Sequence, residues 1–138
     1  MVRMSDAPKV LIVEDNYLLL DMLTTQCERA GLAVVAASSG EAALTLLRTH
    51  GRDLDWLLTD IHLPGMIDGW MVADVFRELR PDRPVIYAST NAHFERRPLR
   101  GSLAVRKPFQ VREIVALARM MATERGLAPL SSPHYASA

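Results

Sequence analysis

Five short apolar runs punctuate the chain. They are "KVLIV" (9–13), "AVVAA" (33–37), "WLLTD" (56–60), "PVIYAS" (84–89) and "LAVR" (103–106). Such short runs bounded by polar or turn residues read as buried strands. Between them the apolar positions recur at helical spacing. Leu19, Leu20, Leu23 and Cys27 mark a first helix in "NYLLLDMLTTQCERAG", ended by Gly31. "SSGEAALTLLRTHG" opens on Ser38 and Ser39 as candidate caps and runs to about His50. "DGWMVADVFRELRP" turns Val72, Ala73, Phe76 and Leu79 inward and stops at Pro81. "QVREIVALARMMATERG" carries Ile114, Val115, Ala118 and Met121 on one face. Strands alternating with helices predict an α/β fold, a parallel sheet with helices on both faces.

One domain over residues 8–124 accounts for these elements, with 1–7 and 125–138 as flexible termini. With 49% hydrophobic residues a sizeable core can form. The longest apolar runs are too short to span a membrane, and "MVRMSDAPK" has no signal core. A single cysteine, Cys27, excludes an internal disulfide. A soluble cytoplasmic protein is expected. Residues 1–69 hold ten acids and five bases, and residues 70–138 six acids and eleven bases. Two solvated faces account for most of these charges. No basic run is interleaved with aromatics, so nucleic-acid binding is not expected.

In an open parallel sheet, chemistry sits at the carboxyl ends of the strands. The polar residues there are Glu14 and Asp15 after the first strand and Asp60 ending the third. Ser89, Thr90 and Asn91 end the fourth, and Lys107 follows the fifth, before Pro108. Each has an ordinary explanation. Asp15 or Asp60 could cap a helix, Ser89 could bond to backbone, and Lys107 could be a surface lysine. Together they bring three carboxylates, a hydroxyl and an ammonium to one rim. Two unit charges about 4 Å apart repel by roughly 4 kcal/mol at an effective dielectric of 20. Such carboxylates raise one another's pKa or recruit a hard cation such as Mg²⁺. With that cation and Lys107 to neutralise a phosphoryl group, Asp60 becomes a carboxylate nucleophile and Ser89 a donor to a phosphoryl oxygen.

"VLIVEDN", "LLTDIHLPG", "PVIYAS" and "VRKPF" resemble, in order and nearly in spacing, the receiver domain of two-component response regulators. The resemblance implies a flavodoxin-like, doubly wound five-stranded sheet of order 2-1-3-4-5. It implies that Asp60 accepts phosphate from a phosphohistidine. It also implies that Asp15, Asp60 and the His62 carbonyl ligate Mg²⁺, with Glu14 acting through water. Ser89 and Lys107 would bind the phosphoryl group, and the Lys107–Pro108 bond would be cis. His62, Thr90 and Asn91 stand where the family tunes phosphate lifetime, although His62 could equally be a solvated loop histidine.

Two departures stand out. Ala104 occupies the position of the family's aromatic switch, leaving Tyr87 or Phe94 as substitutes. The interval from Ser89 to Lys107 is a few residues short, so the family's fourth helix is expected to be short or irregular. An altered fourth helix is similar to a subgroup of receivers common in alphaproteobacteria. Segment 91–102 is then the next candidate for the switching element, coupled to Ser89. The expected function is a stand-alone, phosphorylated signalling switch rather than a turnover enzyme. Its expected partners are a histidine kinase or histidine phosphotransfer protein and an unknown downstream protein, with no nucleic acid and no membrane insertion. Two rivals are an aspartyl-phosphate hydrolase and a degenerate receiver that binds partners without phosphorylation. The hydrolase is disfavoured because Asp60-Ile61-His62 lacks a second acid two residues on.

Overall fold

A computed structural model describes residues 7–90 and 100–123, the side chains only to Met121. The chain runs β1 (Lys9–Val13), α1 (Tyr17–Arg29), β2 (Ala33–Ala37), α2 (Gly40–His50), a 3-10 turn (Gly51–Asp53) and β3 (Trp56–Asp60). It continues through α3 (Gly69–Leu79), β4 (Val85–Ser89), β5 (Ser102–Arg106) and α4 (Val111–Thr123). The five strands form one all-parallel sheet in the order β2-β1-β3-β4-β5, the flavodoxin-like order expected.

The strands alternate their side chains between two cores. Leu11, Val13, Leu57, Tyr87 and Ala104 face α2 and α3. Val10, Ile12, Trp56, Leu58 and Ile86 face α1 and α4. All five residues of β3 are buried, because this strand lies at the sheet centre with helices on both sides. Helix α1 buries Leu20, Leu23 and Cys27, while Leu19 is only partly covered.

The strand ends differ by single residues from the sequence pattern. Pro84 offers its carbonyl to the Leu57 N–H (3.1 Å) but has no N–H of its own, so β4 starts at Val85. β5 starts one residue earlier, at Ser102, a polar residue that is buried and pairs with Val85. Among the described residues three helices carry side-chain caps: Asn16 accepts from Leu19 N–H, Ser39 from Ala42 N–H and Asp68 from Met71 N–H, each at 3.0 Å. Gly31 takes φ +90° just past α1, a conformation that glycine adopts without strain.

The expected short or irregular fourth helix, with Asn91 and Phe94, falls on residues 91–99 and lies outside the described residues. So do the expected flexible termini, apart from Ala7. No described helix is long and apolar enough to cross a membrane.

Candidate phosphoacceptor site

The sheet register builds the site. Val13 lies opposite Thr59, so the residues that follow, Glu14 and Asp60, emerge side by side at the carboxyl edge. One strand further, Asp60 pairs with Ala88, which brings Ser89 to the same edge. Ser89 pairs with Arg106, and its carbonyl accepts from the Lys107 N–H at 2.8 Å. Lys107 therefore leaves the sheet beside the acids, and its bond to Pro108 is cis.

The Lys107 ammonium bridges the two buried carboxyls. Its Nζ lies 2.7 Å from Asp60 Oδ1 and 3.0 Å from Glu14 Oε1. The other Glu14 oxygen, Oε2, accepts from the Asn16 N–H at 3.0 Å. Glu14 is 2% exposed and Asp60 4%. Asp15 is exposed, and Asn16 caps α1 in its place, so its carboxylate is not committed to the helix end. Oxygens of Glu14, Asp15 and Asp60 lie within 4.8 Å of one another. An all-oxygen, part-exposed set of this kind fits a hard divalent cation such as Mg²⁺.

Burial and the Glu14 carboxyl push the Asp60 pKa up to about 8, against the pull of Lys107. Glu14 moves the other way. Burial, the largest single influence on it, favours the neutral acid. Hydrogen bonds from Asp60, the Asn16 N–H and Lys107 outweigh that burial and keep its pKa below the ordinary value. Lys107 is also partly buried, which alone would lower its pKa, but the two carboxyls raise it. In the metal-free molecule one ammonium thus balances one carboxylate, and the second acid keeps its proton.

The remaining sequence candidates spread around this centre. Ser89 is 3% exposed at the rim, and Thr90 and His62 are exposed at its edge. Ala104 is wholly buried in the core facing α2 and α3, beside Tyr87 on the neighbouring strand. Tyr87 is itself wholly buried, its ring packed on Trp70 with centroids 4.7 Å apart.

Residues not singled out from the sequence also shape the rim. Gly69 N–H donates to the Ile61 carbonyl at 2.9 Å, and a Cβ on Gly69 would fall 1.9 Å from the Asp60 carbonyl. Glu41, from α2, accepts from the Met66 N–H at 2.9 Å. Nothing in the local pattern marks either residue, since both contacts join separate elements.

Comparison with known proteins agrees with this architecture. A family model described as "Response regulator receiver domain" matches residues 10–119. The response regulator SaeR of Staphylococcus aureus is 32% identical over 110 residues, covering 77% of this chain and 46% of SaeR. The sensor histidine kinase GacS of Pseudomonas protegens is 35% identical over 92 residues, covering 64% of this chain and 10% of GacS. The chain thus spans less than half the length of either curated relative. A response regulator receiver protein from Sinorhizobium medicae superposes with a TM-score of 0.80 at 31% identity, covering 86% of this chain and 96% of that one. With the family model matched across both cores and the acidic rim between them, the chain belongs to the response regulator receiver domain family.

Proposed function

We propose that this receiver domain takes a phosphoryl group from a phosphohistidine onto Asp60 and signals through protein contact. The observation that carries the reading is the buried Asp60 carboxyl held 2.7 Å from Lys107 inside an acidic trio. Asp60 attacks as the carboxylate, so the proton that burial favours on it is first released to solvent, a loss that Lys107 and a bound cation would both promote. In the transfer, an Asp60 oxygen then forms a bond to phosphorus while the phosphorus–nitrogen bond to imidazole breaks and its electron pair returns to the ring nitrogen. Lys107 fixes Oδ1 and offers positive charge to the phosphoryl oxygens that approach it. Ser89, at the end of β4, supplies a hydroxyl on the same rim. Glu14, Asp15 and Asp60 would hold Mg²⁺, which supplies further positive charge when bound. His62 and Thr90, exposed where the chain leaves Asp60 and Ser89, would limit water access and so tune the lifetime of the acyl phosphate.

The donor is a histidine kinase or a histidine phosphotransfer protein. The match to a sensor histidine kinase, as well as to a response regulator, supports that assignment. The domain acts as a switch that gains and loses phosphate, not as a turnover enzyme. The retained trio and Lys107 argue against a degenerate receiver.

Incubation with acetyl phosphate and Mg²⁺, followed by intact mass, tests the reading without the kinase. The wild type is expected to gain one hydroxylamine-sensitive phosphate, and Asp60→Asn none. A phosphate retained by Asp60→Asn would move the acceptor elsewhere.

A further inference from the structure

The loop that joins Asp60 to α3, residues 61–68, is tied down by backbone at both ends. Ile61 N–H donates to the Ala88 carbonyl and Gly69 N–H to the Ile61 carbonyl, each at 2.9 Å. Its middle is held by a side chain from another element. Glu41, in the first turn of α2, accepts from the Met66 N–H at 2.9 Å. Gly65 has φ +92°, and a Cβ there would lie 2.8 Å from the same carboxylate. Gly40 lies against the loop as well, where a Cβ would fall 2.3 Å from the Ile67 carbonyl. One carboxylate and two glycines therefore clamp residues 65–67 onto α2. Although Glu41 is exposed, the Met66 N–H, followed by its own N–H, holds its carboxyl below the usual range against desolvation, with a lesser contribution from the Ile67 N–H. A charged acceptor makes a stronger hydrogen bond than a neutral one.

We infer that Glu41 is a positioning residue for phosphoryl transfer, latching the middle of the 61–68 loop onto α2 and so fixing the backbone that borders Asp60. The inference rests on the phosphoacceptor reading. Transfer by positioned groups is sensitive to small displacements. The same loop carries His62, whose carbonyl is the backbone group expected to face the cation. A loop released at its centre can still stay joined at Ile61 and Gly69, so the fold survives while the rim loses its fixed shape.

Three readouts on the full chain test this: amide hydrogen exchange without metal, the Mg²⁺-dependent melting shift, and the rate of labelling by acetyl phosphate. In Glu41→Ala, exchange at residues 65–67 is expected to quicken about tenfold. Mg²⁺ affinity and labelling rate are each expected to fall roughly fivefold. The metal-free melting temperature is expected to stay within about 3 °C of the wild type. Glu41→Gln, which keeps an acceptor oxygen, should fall between wild type and Glu41→Ala. Gly65→Ala should also quicken exchange at residues 65–67, because it adds backbone strain at φ +92° to the crowding of the Glu41 carboxylate. Unchanged exchange in Glu41→Ala overturns the latch and leaves the phosphoacceptor reading standing. Faster exchange with unchanged labelling and Mg²⁺ affinity reduces Glu41 to a structural contact and also overturns it. A wild type that takes no phosphate overturns the reading and the latch together.

Discussion

At the scale of single residues, the acid-base balance of the rim has a sign that can be worked out. The folded pKa of Asp60, about 8, lies above its ordinary value of 3.8. Between those two pH values the unfolded chain has released a proton that the folded chain keeps. Stability should therefore fall as pH rises through that window. Glu14 is shifted down, so its contribution is present above its ordinary value of 4.5 and is lost only as pH falls. Lys107 is shifted up, so its contribution is intact below 10.5 and is lost only as pH rises through its folded value. Of Asp60, Glu14 and Lys107, Asp60 is the one whose contribution slopes between about pH 5 and 8. Urea midpoints at pH 5 and pH 8 without metal check this. Wild type should lose stability relative to Asp60→Asn across the interval, and a constant difference would rule out a protonated Asp60.

At the scale of elements, the close approaches around β3 and β5 decide what the site tolerates. Gly69 starts α3 against the backbone of β3's last residue, and a Cβ would overlap the Asp60 carbonyl. Gly69→Ala must push α3 off the strand end, at an expected cost of about 3 kcal/mol. A urea titration measures that loss, and a variant as stable as wild type would contradict the packing. Ala104 raises a different point. It is wholly buried next to Tyr87, which packs on Trp70 from α3. The family resemblance implies an aromatic side chain at this place. Here Ala104→Tyr should instead overpack the core and cost roughly 1–3 kcal/mol. Unchanged stability would mean that the new ring finds a path out of the core. With alanine in this place, no rotamer of residue 104 can serve as a switch.

At the scale of the whole molecule, two cores flank the sheet while its carboxyl edge gathers three acids around one ammonium. A cation that binds only the folded arrangement must stabilise the entire domain. At ten times its dissociation constant Mg²⁺ should add roughly 1.4 kcal/mol. That corresponds to a rise of about 5 °C in melting temperature for a domain of this size. Asp15→Ala should remove most of the rise while scarcely changing the metal-free melt, because Asp15 is exposed and Asn16 caps α1. Thermal melts with and without Mg²⁺ decide the matter. The same rise in Asp15→Ala would place the cation elsewhere.

The sequence by itself determined the alternation of strands and helices, and with it the rim. Apolar period and run length are properties of neighbouring residues, and parallel strands must bring their carboxyl ends to one edge. Glu14, Asp60, Ser89 and Lys107 could therefore be gathered before any contact was known. The tertiary structure decided which of them touch. Lys107 reaches Glu14 across 93 positions and Glu41 reaches Met66 across 25, and neither spacing leaves a local trace. It decided that Asn16, not Asp15, caps α1, because two adjacent side chains with equal capping chemistry are separated only by their backbone angles. The closeness of Gly69 to Asp60 was likewise invisible, since a glycine before a helix reads as a turn residue until the strand it faces is in place. Periodicity encodes what a segment becomes, whereas distances between segments arise only when the two cores pack around the sheet.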